Sequence, residues 1–192
     1  MGITVEGPFL GRSSVCEPIL LSLPQWFGVQ AATDQYIQDI EVTPTLLAHD
    51  GDFAVGFLTL VEHSAYSAEI QVMAVRPELH RRGFGAALVQ AAEHYLRQRG
   101  IEYLQAKTLS ARHPDENYAG TRRFYLAMGF RPLEEFPERW GPANPACSWS
   151  SACEDGQRHR HSSQGDMSQP QSPSTVLGPR PRPEAGTSGY QE

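Results

Sequence analysis

The sequence is short of cysteine and holds a single lysine. Three cysteines in 192 residues, Cys16, Cys147 and Cys153, are too few for a disulfide framework and suit a reducing, cytoplasmic compartment. No stretch approaches the ~20 consecutive apolar residues that cross a bilayer. No basic stretch followed by an apolar run marks a secretory leader. The Met-Gly start does not read as a myristoylation signal, because Glu6 stands where Ser or Thr is required. Positive charge is also scarce. The 16 basic and 22 acidic side chains leave a net charge of −6, which argues against nucleic acid as a partner, since that needs a basic surface. No membrane partner is expected either. Fifteen of the basic residues are Arg and only Lys107 is Lys. With abundant Ala, Gly and Pro, that bias suggests a GC-rich coding sequence.

What is present divides near residue 146. Residues 147–192 hold nine Ser, five Pro and five Gly, with Trp149, Met167, Val176, Leu177 and Tyr190 as their large apolar residues. Such a segment buries too little surface to offset the entropy of ordering it, so 147–192 is expected to be a disordered low-complexity tail. The body, 1–146, is expected to form one domain. It reads as alternating elements. Leu23 to Ile40 has helical spacing. Pro44 to Ala48 and Phe53 to Glu62 are strands joined by the His49-Asp-Gly-Asp52 turn. Ala68 to Val75 is a third strand, with Ile70, Val72 and Ala74 expected on one face. Phe84 to Arg99 is an amphipathic helix stopped by Gly100. Tyr103 to Leu109 is a strand, Tyr118 to Met128 a second helix, and Phe130 to Phe136 a further strand. Hairpins first and βαβα later imply a mixed α/β sheet.

The chemistry concentrates in Val72-Met-Ala-Val-Arg-Pro-Glu-Leu-His-Arg-Arg-Gly-Phe-Gly-Ala-Ala-Leu88. This is a strand, a proline-marked turn, a basic glycine-containing loop and a helix start. Gly83 and Gly85 let the backbone approach a ligand. The first amides of the helix lack partners within it and carry the positive end of its dipole, so they suit a pyrophosphate. Arg81 and Arg82 add fixed positive charge. A nucleoside-triphosphate P-loop would need Gly-Lys-Ser/Thr, which is absent. A dinucleotide fingerprint would need a third glycine where Leu88 stands. On the loop alone, a plain βα turn with a solvated basic edge stays open.

Two motifs together resemble the GCN5-related N-acetyltransferase (GNAT) family. The family loop, Gln/Arg-x-x-Gly-x-Gly/Ala after a strand ending in Val-x-Pro, is similar to His80-Arg-Arg-Gly-Phe-Gly85 after Val75-Arg76-Pro77. About 40 residues on, the family pattern Asn-x-x-Ala-x-x-x-Tyr-x-x-x-Gly-Phe is met by Tyr125, Gly129 and Phe130. Tyr118 and Thr121 stand at the Asn and Ala positions, and Asn117 lies one place early. The resemblance covers roughly residues 40–137. It implies a mixed, mostly antiparallel central sheet flanked by helices, with splayed central strands, and acetyl transfer from acetyl-coenzyme A to an amine by direct attack in a ternary complex. A small-molecule or peptide amine would be the acceptor. It implies pantetheine against the backbone of Met73, Ala74 and Val75. The coenzyme's phosphates would sit on His80, Arg81, Arg82, Gly83, Phe84, Gly85 and Ala86, with Asn117 and Tyr125 as further contacts. Tyr125 would protonate the leaving thiolate or bond the coenzyme sulfur. Glu69 is the first candidate base, with an exposed strand carboxylate as its plainer role. His63 is the second, since a histidine near a cleft can titrate around neutrality. Lys107 lies on a solvated strand edge, faces substrate or pairs with a carboxylate, and the 113–116 and 134–140 segments are candidate linings of the acceptor pocket.

No metal is expected: Cys147, Cys153, His159 and His161 match no standard zinc spacing. A non-catalytic coenzyme A sensor or scaffold of the same fold remains the alternative, and a homodimer is left open. The family normally ends in an apolar strand beside the Phe130 strand, and none is visible after Pro145. One permissible codon set for Ala146 to Glu154, read in another frame, encodes Leu-Leu-Met-Val-Lys-Arg-Leu. Residues 146–192 are therefore expected to be out-of-frame sequence, leaving an exposed sheet edge.

Overall fold

A computed structural model describes residues 2–140 and 144–153. A seven-stranded sheet is built from β1 (Ile3–Phe9), β2 (Thr45–Asp50), β3 (Phe53–Glu62), β4 (Ser67–Val75), β5 (Tyr103–Leu109), β6 (Arg131–Phe136) and β7 (Ala146–Ala152), in the order β1-β2-β3-β4-β5-β7-β6. Every neighbouring pair is antiparallel except β4 and β5, which run parallel. Helices α1 (Ser13–Leu21) and α2 (Gln30–Val42) cover one face; α3 (Phe84–Gln98) and α4 (Glu116–Ala127) cover the other. Both faces being covered, β2 and β3 are apolar almost without alternation, as inner strands must be.

Two apolar clusters hold these layers. Cys16, Ile19, Leu20 and Ile40 of α1 and α2 pack on Leu47, Phe57, Val72 and Ala74. Phe84, Leu88, Ala92 and Leu96 of α3 pack with Leu58, Ile70, Leu104, Phe130 and Trp149. Strand β4 therefore changes face partway along: Ile70 belongs to the α3 side, Val72 and Ala74 to the α1 side. The expectation that these three share one face is corrected by a bulge. Leu58 pairs with Met73 and Leu60 with Ile70, so Thr59 alone opposes both Gln71 and Val72. The Thr59 hydroxyl accepts from Val72 N at 3.1 Å and donates to Val72 O at 3.3 Å, satisfying the backbone that the bulge removes from the ladder.

Three further expectations change. Leu23–Ile40 is not one helix: α1 ends at Leu21 and α2 begins at Gln30, with Pro24 in the turn-rich segment between them. Strand β1 and helix α1, which the sequence reading left unassigned, form the sheet's first edge and part of one layer. A strand does follow Pro145. Ala-Cys-Ser-Trp-Ser-Ser-Ala, 146–152, inserts between β5 and β6 and pairs with both. The premise of a missing last strand therefore fails for these residues, and with it the expected exposed edge. The disorder expected over 154–192 lies outside the described residues.

Trp149 is 4% exposed and packs in the α3-side cluster. Its replacement by Ala empties a core site on the strand that holds β6 to the sheet. Such a truncation costs about 3–5 kcal/mol. Urea denaturation of the Trp149→Ala chain should show that loss as a lowered midpoint with little change in slope.

Candidate active site

The site begins where two strands part. β4 and β5 pair only from Ser67–Tyr103 to Ile70–Ala106. β4 then continues to Val75 on the β3 side, while β5 continues to Leu109 on the β7 side. The bulge at Gln71–Val72 falls immediately after the last shared pair, where a local kink turns β4 away from its neighbour. Arg76 donates its N–H to Val55 O on the β3 side. By strand alternation Met73 and Val75 turn their amides to the opposite edge, into the fork. Thr108, two residues past the last pair, has a buried hydroxyl with no partner among the described residues.

At the open end of β4 a short 3₁₀ turn, Pro77–Leu79, leads into the basic loop. Arg81 at φ +60° and Gly83 at φ +95° reverse the chain into α3. Gly83 caps α3 and has no side chain to occupy its first amides. Arg81 and Arg82 are exposed beside them. Gly85 lies against the Phe124 ring, which a Cβ would meet at 3.3 Å. His80 does something the sequence did not suggest: its Nε2 donates to Val75 O at 2.8 Å. A carbonyl only accepts, so that contact fixes the proton on Nε2.

Tyr125 of α4 is 6% exposed and stacks with Phe124 and Phe130 at ring distances of 5.5 and 5.1 Å. Burial, and then the negative charge of Glu69, push its hydroxyl well above the ordinary tyrosine range, so it holds its proton at neutral pH. Glu69 accepts from His63 Nε2 at 2.6 Å and from Lys107. Burial pushes the Glu69 carboxyl up, but the bonds and charges of Lys107 and His63 outweigh it and hold the group below the usual glutamate range. Glu69, His63 and Lys107 are thus brought together, and Tyr125 is close enough to feel the charge. Asn117 is exposed on the first turn of α4. The 113–116 segment starts that helix, with Asp115 accepting from Tyr118 N at 3.0 Å.

Trp26, in the segment between α1 and α2, was missed as a site residue. Its ring meets His80 edge-on at 5.8 Å, and its Nε1 donates to Thr121 Oγ1 of α4 at 3.2 Å. Tyr118 OH donates to its carbonyl at 3.4 Å. The indole therefore links the basic loop to α4. A lone Trp in a Pro-containing segment gives no periodic signal by which to find it.

A cavity of about 490 Å³ opens elsewhere, between α4 and β6–β7, lined by Arg122, Leu126, Leu133, Glu134 and Trp149 among others. It includes none of the predicted cofactor or catalytic residues, and the parted strands fit the chemistry better. Burial raises the Cys153 thiol to about 11, so it is not a thiolate at neutral pH. Among the described residues no group of three His, Cys, Asp or Glu could hold a metal ion, and no helix is long and apolar enough to cross a membrane. His159 and His161 lie outside the described residues.

The sheet is of the mixed α/β class, parted at its parallel pair beside a glycine-capped helix. The family model for the acetyltransferase (GNAT) family matches residues 20–130, and the chain belongs to that family. Among solved structures it is similar to a GNAT-family protein from Desulfovibrio desulfuricans, with 16% identity, a TM-score of 0.69, and 80% of this chain and 100% of that one covered. An aminoglycoside 6'-N-acetyltransferase complexed with coenzyme A shares 16% identity at a TM-score of 0.63, over 81% of this chain and 98% of its own. The ribosomal-protein-S18-alanine N-acetyltransferase of Escherichia coli shares 15% at 0.63, over 82% and 98%. At these identities the likeness is one of fold. No curated protein matches the sequence.

Proposed function

We propose that this chain is an N-acetyltransferase that moves the acetyl group of acetyl-coenzyme A to an amine by direct attack. The observation that carries this reading is the parting of β4 and β5 after Ile70 and Ala106, which leaves a strand edge leading to the start of α3, whose first amides take no side-chain cap. The arrangement suits a long, amide-bearing molecule that ends in phosphates. Met73 and Val75 would pair with the pantetheine amides, and the amides of Arg81 to Ala86, with the Arg81 and Arg82 side chains, would take the phosphates. His80 would act through Val75, whose carbonyl it holds. Asn117, at the exposed start of α4, is a further contact.

When bound, the coenzyme supplies an activated acetyl thioester. The chain's own residues then have three tasks. A strand amide of β4 donates to the carbonyl oxygen as it gains charge. Glu69 takes a proton from the acceptor, because an alkyl amine with a pKa near ~10 arrives protonated. Tyr125 keeps its proton until the sulfur leaves and then gives it up. The aminoglycoside and S18-alanine enzymes act on amines of quite different size, so the acceptor is open between small molecules and peptides.

The test is acetyl-coenzyme A consumption against kanamycin, 1,4-diaminobutane, free amino acids and N-terminal alanyl peptides, alongside calorimetry with coenzyme A. Binding and turnover with one of these amines is the expected result. Binding with no turnover on any amine would favour the non-catalytic coenzyme A sensor, and absence of binding would remove both.

A further inference from the structure

At the closed end of the fork one carboxylate is held unevenly. His63 Nε2 lies 2.6 Å from Glu69 Oε2, and Lys107 Nζ donates to that same oxygen. Glu69 Oε1 takes no hydrogen bond from the described residues. The Oε1 of neighbouring Gln71 is buried without a partner among the described residues, whereas the Glu69 side chain keeps 13% exposure. Lys107 stands just past the last β4–β5 pair. Its side chain is 15% exposed, against 13% for Glu69 and 44% for His63. Screening two charges from water is costly, and apolar side chains would clamp the fork as well or better. The ion pair is better explained by what it does to the carboxylate: one oxygen is immobilised and the other is left open.

We propose that Lys107, with His63, is a positioning residue for Glu69: together they fix Oε2 and leave Oε1 as the oxygen that receives the proton of the acceptor's ammonium. The inference rests on the acetyltransferase reading. In the step, one N–H bond of the ammonium breaks and its electron pair stays on nitrogen as the attacking lone pair. The proton forms an O–H bond at Oε1, and the neutral acid later returns it to water. Lys107 favours the ionised carboxylate, so it keeps Glu69 in its accepting form into the acid range and speeds the return of the proton, while making it a weaker base. The other groups facing Glu69 are few. Tyr36 of α2 feels both Glu69 and Asp39, and burial first, then those two charges, keep its hydroxyl protonated. Tyr125 of α4 is likewise neutral. Lys107 and His63 are therefore the groups that set the acid range in which Glu69 works.

The sign follows. With Lys107 present the Glu69 carboxyl is lowered, so activity is held down to acidic pH and lost only as pH falls through that lowered value. In Lys107→Met the charge and the bond are gone and burial dominates, so the loss begins at higher pH. The experiment uses the full chain, with Glu69 followed by carboxyl ¹³C NMR against pH, using Glu69→Gln to assign the signal. The pH dependence of kcat/KM is measured with kanamycin and 1,4-diaminobutane as amines, and coenzyme A affinity by calorimetry. Lys107→Met is expected to move the Glu69 titration and the acid limb upward together, with coenzyme A affinity retained. His63→Asn, at a half-exposed residue whose loss leaves the core untouched, is expected to give a smaller shift of the same sign and decides the matter if Lys107→Met does not fold. A Glu69 titration unmoved in the folded variants, or a moved titration with an unmoved acid limb, would overturn the proposal. If neither amine is turned over, the titration decides alone. Failure of the acetyltransferase reading would appear separately, as absence of coenzyme A binding by the unaltered chain.

Discussion

Replacing Gly83 by Val should weaken coenzyme A binding by about 10- to 100-fold in a calorimetric titration. Gly83 sits at φ +95°, outside the range open to L side chains, and a Cβ there would meet Ile3 Cδ1 at 3.3 Å. A β-branched residue adds restriction at χ1. Holding such a residue in that conformation costs about 1–3 kcal/mol, and each 1.4 kcal/mol is a factor of ten in affinity. The cost is avoided only if the turn relaxes, and relaxing the turn re-aims the amides of Phe84, Gly85 and Ala86. Strain that is held lowers the melting temperature by a few degrees, and a turn that relaxes loses affinity because binding must restore it. The residue is exposed on a turn, so the core should be untouched. Unchanged affinity in the folded variant would mean that the phosphates sit somewhere other than the start of α3.

Much of this arrangement was legible from residue spacing. β3, β5 and the body of α3 fall where apolar periodicity puts them, because each has a covered face and a sharp turn signal beside it. The parts that escaped did so for physical reasons. β7 has four buried residues in succession, Ala146, Cys147, Ser148 and Trp149. An inner strand bonded on both edges owes its place to backbone ladders as well as side chains, so buried Ser148 and Ser151 are tolerated where a solvent-facing pattern would read as loop. The β4 bulge leaves no mark in composition. Its signal is Thr59, a hydroxyl on the neighbouring strand, and only pairing reveals it.

At the site, the loop stood out because glycines and arginines precede a helix start, although a plain βα turn with a solvated basic edge fits the same residues. The partnership of Glu69 with Lys107 did not, because it joins residues 38 apart across a parallel pair. The sequence offered Lys107 three roles: facing substrate, pairing with a carboxylate, or lying on a solvated edge. The geometry selects the second.

The Tyr125→Phe chain should lose about 10²–10⁴-fold in kcat, the range that a positioned general acid supplies, while coenzyme A affinity stays near that of the unaltered chain. The substitution removes one hydroxyl and keeps the ring, so the contacts with Phe124 and Phe130 persist and the fold should be retained. The raised hydroxyl gives the expectation a pH signature. A group that keeps its proton beyond the ordinary tyrosine range imposes no loss of acid form through neutral pH, so the unaltered enzyme should show no basic limb from this residue below about pH 10. Activity falling on the basic side near neutrality would point to another acid. A Phe variant with full kcat would reduce Tyr125 to a packing residue and leave the thiolate to depart unprotonated or to take its proton from water. Burial is the first cause of the raised hydroxyl, and the Glu69 charge adds to it. The charge that Lys107 keeps on Glu69 helps to keep the proton on Tyr125, so the group that accepts a proton and the group that gives one are held apart in acidity by the same ion pair.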